Sequence, residues 1–365
     1  MKTLYNFSAG PSVLPKEVLL DAQKNLVDFE GCGMSVMEMS HRSKEYDIII
    51  KKTEELFHEV MGIPDNYKVL FLQGGATQQF GMIPMNLLAK NGKADYVITG
   101  IFSNTAYKEA QLVGGPTGKT ISAAGSTKEE NYKRIPEQNE LKLDPAADYL
   151  HICENNTIIG SKWKYLPDAG KVPIVSDMSS CILSEPVDVS KYGLIYAGAQ
   201  KNIAPAGVTI VIIKKDLIYD PLPGTPTMLN YKVQAENDSM KNTPPCWPIY
   251  IAKLVLEYLQ KNGGLAAMKA HNEAKAKVLY DFLDSTDFYK SHVVAKDRSI
   301  MNVTFRTESD ELDDKFIKGS VAAGMSNLKG HRDVGGMRAS IYNAMPKDGV
   351  EYLVDFMKKF EKENK

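Results

Sequence analysis

Cysteine is scarce in this sequence: Cys32, Cys153, Cys181 and Cys246 are the only four in 365 residues. They show neither the paired spacing of a zinc site nor the density of a disulfide scaffold, so reduced thiols, no metal and a cytoplasmic setting are expected. Long apolar runs are missing too. None approaches the ~18 residues of a membrane span, and the first residues lack a signal-peptide core, so the chain reads as soluble and unexported. Nor is there an excess of either charge, since 44 basic and 45 acidic side chains leave −1. Such a balance offers no global field for nucleic acid or an anionic membrane, so neither is expected as a partner and any anion site must be local. Internal repeats and low-complexity tracts are also absent.

A chain of this length can bury a substantial core and suggests two subdomains. From about Tyr67 to Lys214, short apolar runs alternate with helical segments, an α/β pattern. Strands are expected at Tyr67–Leu72, Ala94–Thr99, Lys119–Ala123, Tyr149–Cys153, Pro173–Ser176, Leu194–Ala197 and Val208–Ile213. Two amphipathic helices precede them. One is entered at Pro15; the other is capped by Ser43 and carries Tyr46, Ile49, Ile50, Leu56, Phe57 and Val60. Helical runs Ile249–Gln260 and Leu265–Leu283 meet at the breaker Asn262-Gly-Gly264, and Met301–Phe305 restores a strand. The expected division is a large domain over 16–262 and a smaller α+β C-terminal domain over 263–365, joined by residues 1–15.

The polar residues that punctuate this pattern carry the chemistry. Lys201 stands among small residues between the apolar runs 192–196 and 207–213, where a sheet meets a loop. Alone it would be a solvated charge. Twenty-four residues earlier, Val172–Val175 leads through Ser176 into Asp177, a carboxylate at the end of a neighbouring strand. An amine for an aldehyde and an anion for a ring nitrogen are what pyridoxal 5'-phosphate requires. Gln73-Gly-Gly-Ala-Thr77 follows the first strand and opens a helix; its small residues, helix N-terminus and the Thr77 hydroxyl suit a phosphate. Two lookalikes fail. Val113–Thr120 is one residue short of a nucleoside-triphosphate loop and sits between a helix at Asn104–Leu112 and an extended run, the reverse of strand, loop, helix. Gly31-Cys-Gly33 lacks the third glycine of a dinucleotide fingerprint, because Val36 stands there.

With Asp177, Lys201 and the Gly74-Gly75 turn in that order, the chain resembles the class V aminotransferases among fold-type I pyridoxal phosphate enzymes. Within them it looks like the phosphoserine aminotransferase branch. The resemblance rests on the blocks Asn6–Ser12, Met39–Ser43, Asp177–Ser184, Tyr196–Asn202, Asn242–Pro245 and Gly330–Ser340, so it spans nearly the whole chain. It implies a large, mixed, mostly parallel sheet with helices on both faces, plus the smaller α+β domain. It further implies that Lys201 carries the cofactor and shuttles the proton, while Asp177 keeps the ring nitrogen protonated. Ala76, Thr77, Thr157 and Gln200 would join them around the cofactor. Phe102 departs from the pattern, which usually places tryptophan there to stack on the ring; phenylalanine keeps the π-face with less area. Asn242 and Thr243 would reach the cofactor phosphate of the other subunit of a homodimer. Arg338 would take the substrate α-carboxylate. His41 and Arg42, crossing the interface, would join His331 and Arg332 around the distal anion.

The expected reaction interconverts 3-phosphohydroxypyruvate and glutamate with O-phosphoserine and 2-oxoglutarate, in serine biosynthesis. One alternative is a class V relative using alanine or serine with glyoxylate, which would have little use for Arg42, His331 and Arg332 together. Another is a non-catalytic binding module of the same fold, which intact Lys201 and Asp177 oppose. Cysteine desulfurase would want a nucleophilic cysteine in the C-terminal domain, but the last cysteine is Cys246.

Overall fold

The computed structural model describes residues 4–365. Met1, Lys2 and Thr3, the start of the segment expected to join the smaller domain, lie outside the described residues. The chain opens with β1 (Tyr5–Asn6), α1 (Lys16–Lys24) and α2 (Lys44–Met61). The Ser43 hydroxyl caps α2 by accepting the Tyr46 N–H at 3.2 Å, as its position predicts. Strand and helix then alternate through β2 (Tyr67–Leu72), α3 (Gly75–Leu87), β3 (Lys93–Ile98), α4 (Ile101–Gly114), β4 (Thr120–Ser126) and β5 (Tyr149–Cys153). A short hairpin of β6 (Asn155–Asn156) and β7 (Ser161–Lys162) leads to β8 (Ile174–Asp177), β9 (Leu194–Gly198) and β10 (Thr209–Lys214).

The seven long strands form one sheet in the order β2-β10-β9-β8-β5-β3-β4. β10 runs antiparallel to both neighbours, and the other pairs are parallel. Their nearly unbroken apolar runs reflect burial on both faces. Ile210 and Ile212 face a core shared with Ile49, Phe57, Ile249 and Val255, whereas Val211 and Ile213 face Phe80, Ile83 and Tyr196.

The remaining elements are α5 (Tyr231–Glu236), α6 (Cys246–Lys261), α7 (Gly264–Asp284), β11 (Lys290–Ser291), β12 (Asn302–Arg306), α8 (Asp310–Ala322), β13 (Met325–Ser326), β14 (Met337–Ser340) and α9 (Lys347–Asn364). β11, β12 and β14 make an antiparallel sheet. β1 pairs in parallel with β13, tying the N-terminal segment to this end of the chain. Among the described residues no helix is long and apolar enough to cross a membrane.

Three boundaries differ from expectation by three residues. α4 starts at Ile101, three residues before Asn104, because Ser103 Oγ accepts the N–H groups of Thr99 and Gly100 at 2.9 and 3.0 Å. Phe102 therefore belongs to a first helical turn. α6 starts at Cys246 rather than Ile249, a beginning that Pro245 and Pro248 tolerate because first-turn N–H groups need no helical partner. β4 continues to Ser126, held against β3 through a register shift at Tyr96/Val97. The nucleotide-loop lookalike closes α4 and enters β4, so helix precedes strand there.

One buried polar cluster fixes the three-stranded sheet to the β6–β7 hairpin that follows β5. Asn302 on β12 accepts the Asn155 side-chain N–H at 2.9 Å and donates to Ser340 Oγ at 3.0 Å and to the Tyr342 hydroxyl at 3.1 Å. Tyr342 in turn donates to the Ala9 carbonyl at 2.8 Å. Removing Asn302 breaks three buried hydrogen bonds, each with a net worth of about 0.5–1.5 kcal/mol, and leaves Ser340 Oγ without another partner. Asn302→Ala should therefore lower unfolding free energy by at least about 2 kcal/mol in urea titration; a loss under about 0.5 kcal/mol, the range of surface substitutions, would show that the cluster is dispensable.

Candidate active site

Asp177 ends β8 and Lys201 follows β9, its parallel neighbour, so both emerge at the carboxyl edge where open α/β sheets bind ligands. Both side chains are buried. Burial raises the Asp177 carboxyl above its usual range, opposed by hydrogen bonding from Ser179 and by the Lys201 charge. The Ser179 N–H reaches Asp177 Oδ1 at 2.9 Å. Burial likewise pushes the Lys201 amine down, with Asp177 the main opposing charge. A buried amine of this kind keeps a larger neutral, nucleophilic fraction than a surface lysine. Its Nζ donates to Thr157 Oγ1 at 2.7 Å and stands 5.7 Å from the centre of the Phe102 ring.

These groups line a cleft of about 260 Å³. Gly75, Ala76 and Thr77 supply one wall from the first turn of α3. Gly74 and Gly75 both take left-handed backbone, and a Cβ on Gly74 would come within 2.7 Å of Gln78 Cβ, so glycine is required for that turn. The unpaired first-turn N–H groups and the Thr77 hydroxyl form an anion cradle. Gln200, His331 and Arg338 line the same cleft. Arg338 lies on β14, where burial draws its guanidinium down; its Nη1 reaches the Thr157 carbonyl at 3.4 Å, and its Nε is buried without a protein partner.

The residues fit pyridoxal phosphate: a cradle for phosphate, a ring-sized slot beside Phe102, Thr157 for a hydroxyl, Asp177 for a ring nitrogen and Lys201 for an aldehyde. The orphaned Arg338 Nε calls for one more anion. Five residues expected at the site do not line this cleft within one chain. Arg332 is 90 % exposed, its Nε 3.6 Å from Asp333 Oδ1. His41 is half-buried and Arg42 exposed, touching each other at 3.4 Å. Asn242 and Thr243 are exposed, and the Thr243 carbonyl accepts from the Gln73 side chain at 3.1 Å.

Other contributors were not singled out in the sequence. Ala9 and Gly10 also line the cleft, and Gly10 covers the Lys201 stem: a Cβ there would lie 3.4 Å from Lys201 Cγ, and its φ of +138° favours glycine. The block Asn6–Ser12 flagged the segment without giving its role. Ser179 accepts the Gly198 N–H at 3.0 Å, bracing the Asp177 turn against the end of β9. Asn155 and Ser180 also face the cleft, though in sequence they look like ordinary loop residues.

The family model described as Aminotransferase class-V matches residues 4–353. The chain is 54% identical over 367 residues to the phosphoserine aminotransferase of Aromatoleum aromaticum, covering 100% of each. The solved phosphoserine aminotransferase from Bacillus circulans subsp. alkalophilus superposes with a TM-score of 0.96 at 45% identity, covering 100% of both chains. A pyridoxal-phosphate-bound phosphoserine aminotransferase from Trichomonas vaginalis gives 0.93 at 37% identity, over 98% of this chain and 100% of that one.

Borohydride reduction in the presence of pyridoxal phosphate should label Lys201; a label on Lys214 or Lys215 would contradict the site. Because burial lowers the Lys201 pKa, labelling should persist to lower pH than for surface lysines. Asp177→Asn removes the charge that raises this pKa, so the midpoint should fall further; an upward shift would contradict the electrostatics.

Proposed function

This chain belongs to the class V aminotransferases, and on that premise we propose that its cleft moves an amino group between two anionic amino acids. The reaction is that of a phosphoserine aminotransferase: 3-phosphohydroxypyruvate and glutamate are interconverted with O-phosphoserine and 2-oxoglutarate, in serine biosynthesis. The observation that carries this reading is the convergence of Lys201, Asp177, the α3 N-terminus and Arg338 on one cleft.

When bound, pyridoxal phosphate supplies an aldehyde that accepts the amino group and a ring that withdraws electrons from the substrate Cα. Thr77 and the α3 N-terminus would hold its phosphate, Phe102 its ring face and Thr157 its hydroxyl, beside Ala76 and Gln200. The Asp177 carboxylate keeps a proton on the ring nitrogen. Lys201 Nζ would take the proton from the donor's Cα and, in the second half of the cycle, give one back at the Cα of the amino-acid product. Arg338 orients the α-carboxylate with a planar fork, which presents the Cα–H bond to Lys201. His331 lines the cleft and Arg332 follows it in the chain, exposed in the single subunit; both are assigned to the distal anion, phosphate or the γ-carboxylate of glutamate in turn.

A homodimer completes this arrangement. His41, Arg42, Asn242 and Thr243 are accessible to a second copy, and exposed Leu19, Leu20, Val27, Met37 and Ile48 lie in the same stretch of chain as His41 and Arg42. Exposed apolar side chains of this size suit an interface between copies. Scattered free thiols suit a reducing compartment, which supports a cytoplasmic location. The pairing of β1 with β13 supports a division into a large unit over 16–262 and a small one over 263–365 with the N-terminal segment.

Arg332→Ala and Arg42→Ala should each raise the KM for phosphoserine by about tenfold or more, as expected for a lost charge-assisted hydrogen bond. Mixing Lys201→Ala with Arg42→Ala chains under subunit exchange should restore part of the activity, because one site of the heterodimer then holds both parental residues. No recovery despite proven exchange would show that each chain builds its site alone.

A further inference from the structure

The three-stranded sheet has two chemically different faces. Val303, Phe305, Met337 and Ala339 belong to the apolar core that this sheet shares with α7, α8 and α9. The opposite face is polar. Asn302 and Thr304 on β12 stand in register with Ser340 and Arg338 on β14, so all four side chains project to one side. That side meets the β6–β7 hairpin at three points. Asn302 accepts from Asn155 at 2.9 Å, the Thr304 hydroxyl donates to the Ile159 carbonyl at 2.8 Å, and Arg338 Nη1 donates to the Thr157 carbonyl at 3.4 Å.

The hairpin tip is held from both sides. The Asn156 side chain donates to Thr99 Oγ1 at 3.2 Å and to Ser161 Oγ at 3.0 Å, and the Gly160 N–H donates to the Asn156 carbonyl at 2.7 Å. The Gly160 carbonyl in turn accepts the Ser299 N–H at 2.8 Å. Gly160 has a φ of +88°, and a Cβ there would lie 2.8 Å from Thr304 Oγ1 and 2.9 Å from the Asn302 carbonyl, so glycine lets the tip seat on β12. Thr157, on the same tip, faces two ways. Its hydroxyl accepts from Lys201 Nζ at 2.7 Å while its carbonyl accepts from Arg338, so one residue spans the amine and the guanidinium. A shift of the tip changes the distance between them.

We propose that Thr304 is a positioning residue: by holding Ile159 to β12 it fixes the hairpin tip against Arg338, and so sets where the substrate α-carboxylate lies relative to Lys201. This rests on the assignment of Arg338 to the α-carboxylate given above. Thr304 does not line the cleft and touches no reacting atom. Its hydroxyl acts through the 157–159 backbone and Arg338, so a ligand that lacks the α-carboxylate is indifferent to it.

The test uses two phosphorylated ligands that carry no amino group and therefore do not react, 3-phosphoglycerate and glycerol 3-phosphate, which differ only in carboxylate against hydroxymethyl. Dissociation constants are measured by calorimetry on the pyridoxal-phosphate-loaded protein, beside the KM values for phosphoserine and glutamate. The parent should prefer 3-phosphoglycerate by about tenfold or more, the scale of a charge-assisted hydrogen bond. Thr304→Val keeps the shape and removes the hydroxyl. It should weaken 3-phosphoglycerate by about two- to tenfold, the range of one neutral hydrogen bond, and leave glycerol 3-phosphate unchanged. Both KM values should rise by that same factor, and Thr304→Ser, which keeps the donor, should restore parental values. Parental binding in Thr304→Val, an equal loss for both ligands, or a Thr304→Ser as impaired as Thr304→Val would reduce Thr304 to packing and overturn the proposal. If Thr304→Val does not fold, Thr304→Ala carries the same comparison. Arg338→Ala separates the two levels: it should erase the preference for 3-phosphoglycerate, and a parental preference there would remove Arg338 from the α-carboxylate, and the proposal with it.

Discussion

A lysine and an aspartate buried side by side at the end of a parallel sheet are the constraint on which this molecule turns. Taking two ionisable groups out of water is costly, and mutual attraction offsets that cost only when the remaining hydrogen-bonding capacity is filled. Here the filling is partial. Asp177 receives the Ser179 N–H, and Lys201 donates to Thr157. Burial still drives the carboxyl up and the amine down. A protonated ring nitrogen against Asp177 and an electrophilic carbon against Lys201 would relieve both, which is why the same two groups that strain the unloaded protein fit it to one cofactor.

The fold is arranged to hold that pair. Adjacent parallel strands β8 and β9 bring the residues together although 24 positions separate them in sequence. The turn at Ser179 is pinned to the end of β9. The Asn302 cluster fastens the short antiparallel sheet to Asn155 and brings Arg338 on β14 over the cleft. The N-terminal segment closes over the Lys201 stem through Gly10 and through the Ser12 N–H, which donates to the Gln200 carbonyl at 2.9 Å. Specificity is laid on top of this frame. Arg338 belongs to one chain's cleft, while His41 and Arg42 are left where a second copy can use them.

Much of this was legible in the sequence wherever a polar residue interrupts an apolar run. Asp177, Lys201 and the Gly74-Gly75 turn stand out for that reason, and the strand pattern around them placed every strand of the seven-stranded sheet within a few residues. What stayed hidden depends on contacts between distant positions. Asn302 and Asn155 are 147 residues apart, and neither carries a local signal that they meet. His151 on β5 and Tyr196 on β9 read as ordinary members of buried strands, although their side chains meet at 2.8 Å across β8. The early start of α4 escaped because its capping hydroxyl, Ser103, lies inside the helix rather than before it. That β10 runs antiparallel is likewise invisible in an apolar run. Under the proposed homodimer the place of His41, Arg42, Asn242 and Thr243 depends on a second copy, so one folded chain adds no more than the resemblance did.

The central claim is that a buried lysine–aspartate pair has been coupled to an anion pocket at each end of a short amino-acid substrate. The most direct test is a panel of amino donors, phosphoserine, serine, alanine and cysteine, each with 2-oxoglutarate and the pyridoxal-phosphate-loaded protein, followed by glutamate formation. Phosphoserine should exceed the uncharged donors in kcat/KM by about a hundredfold or more, since the distal charge-assisted contacts are lost in all three. Alanine or serine turning over as well as phosphoserine would contradict the account.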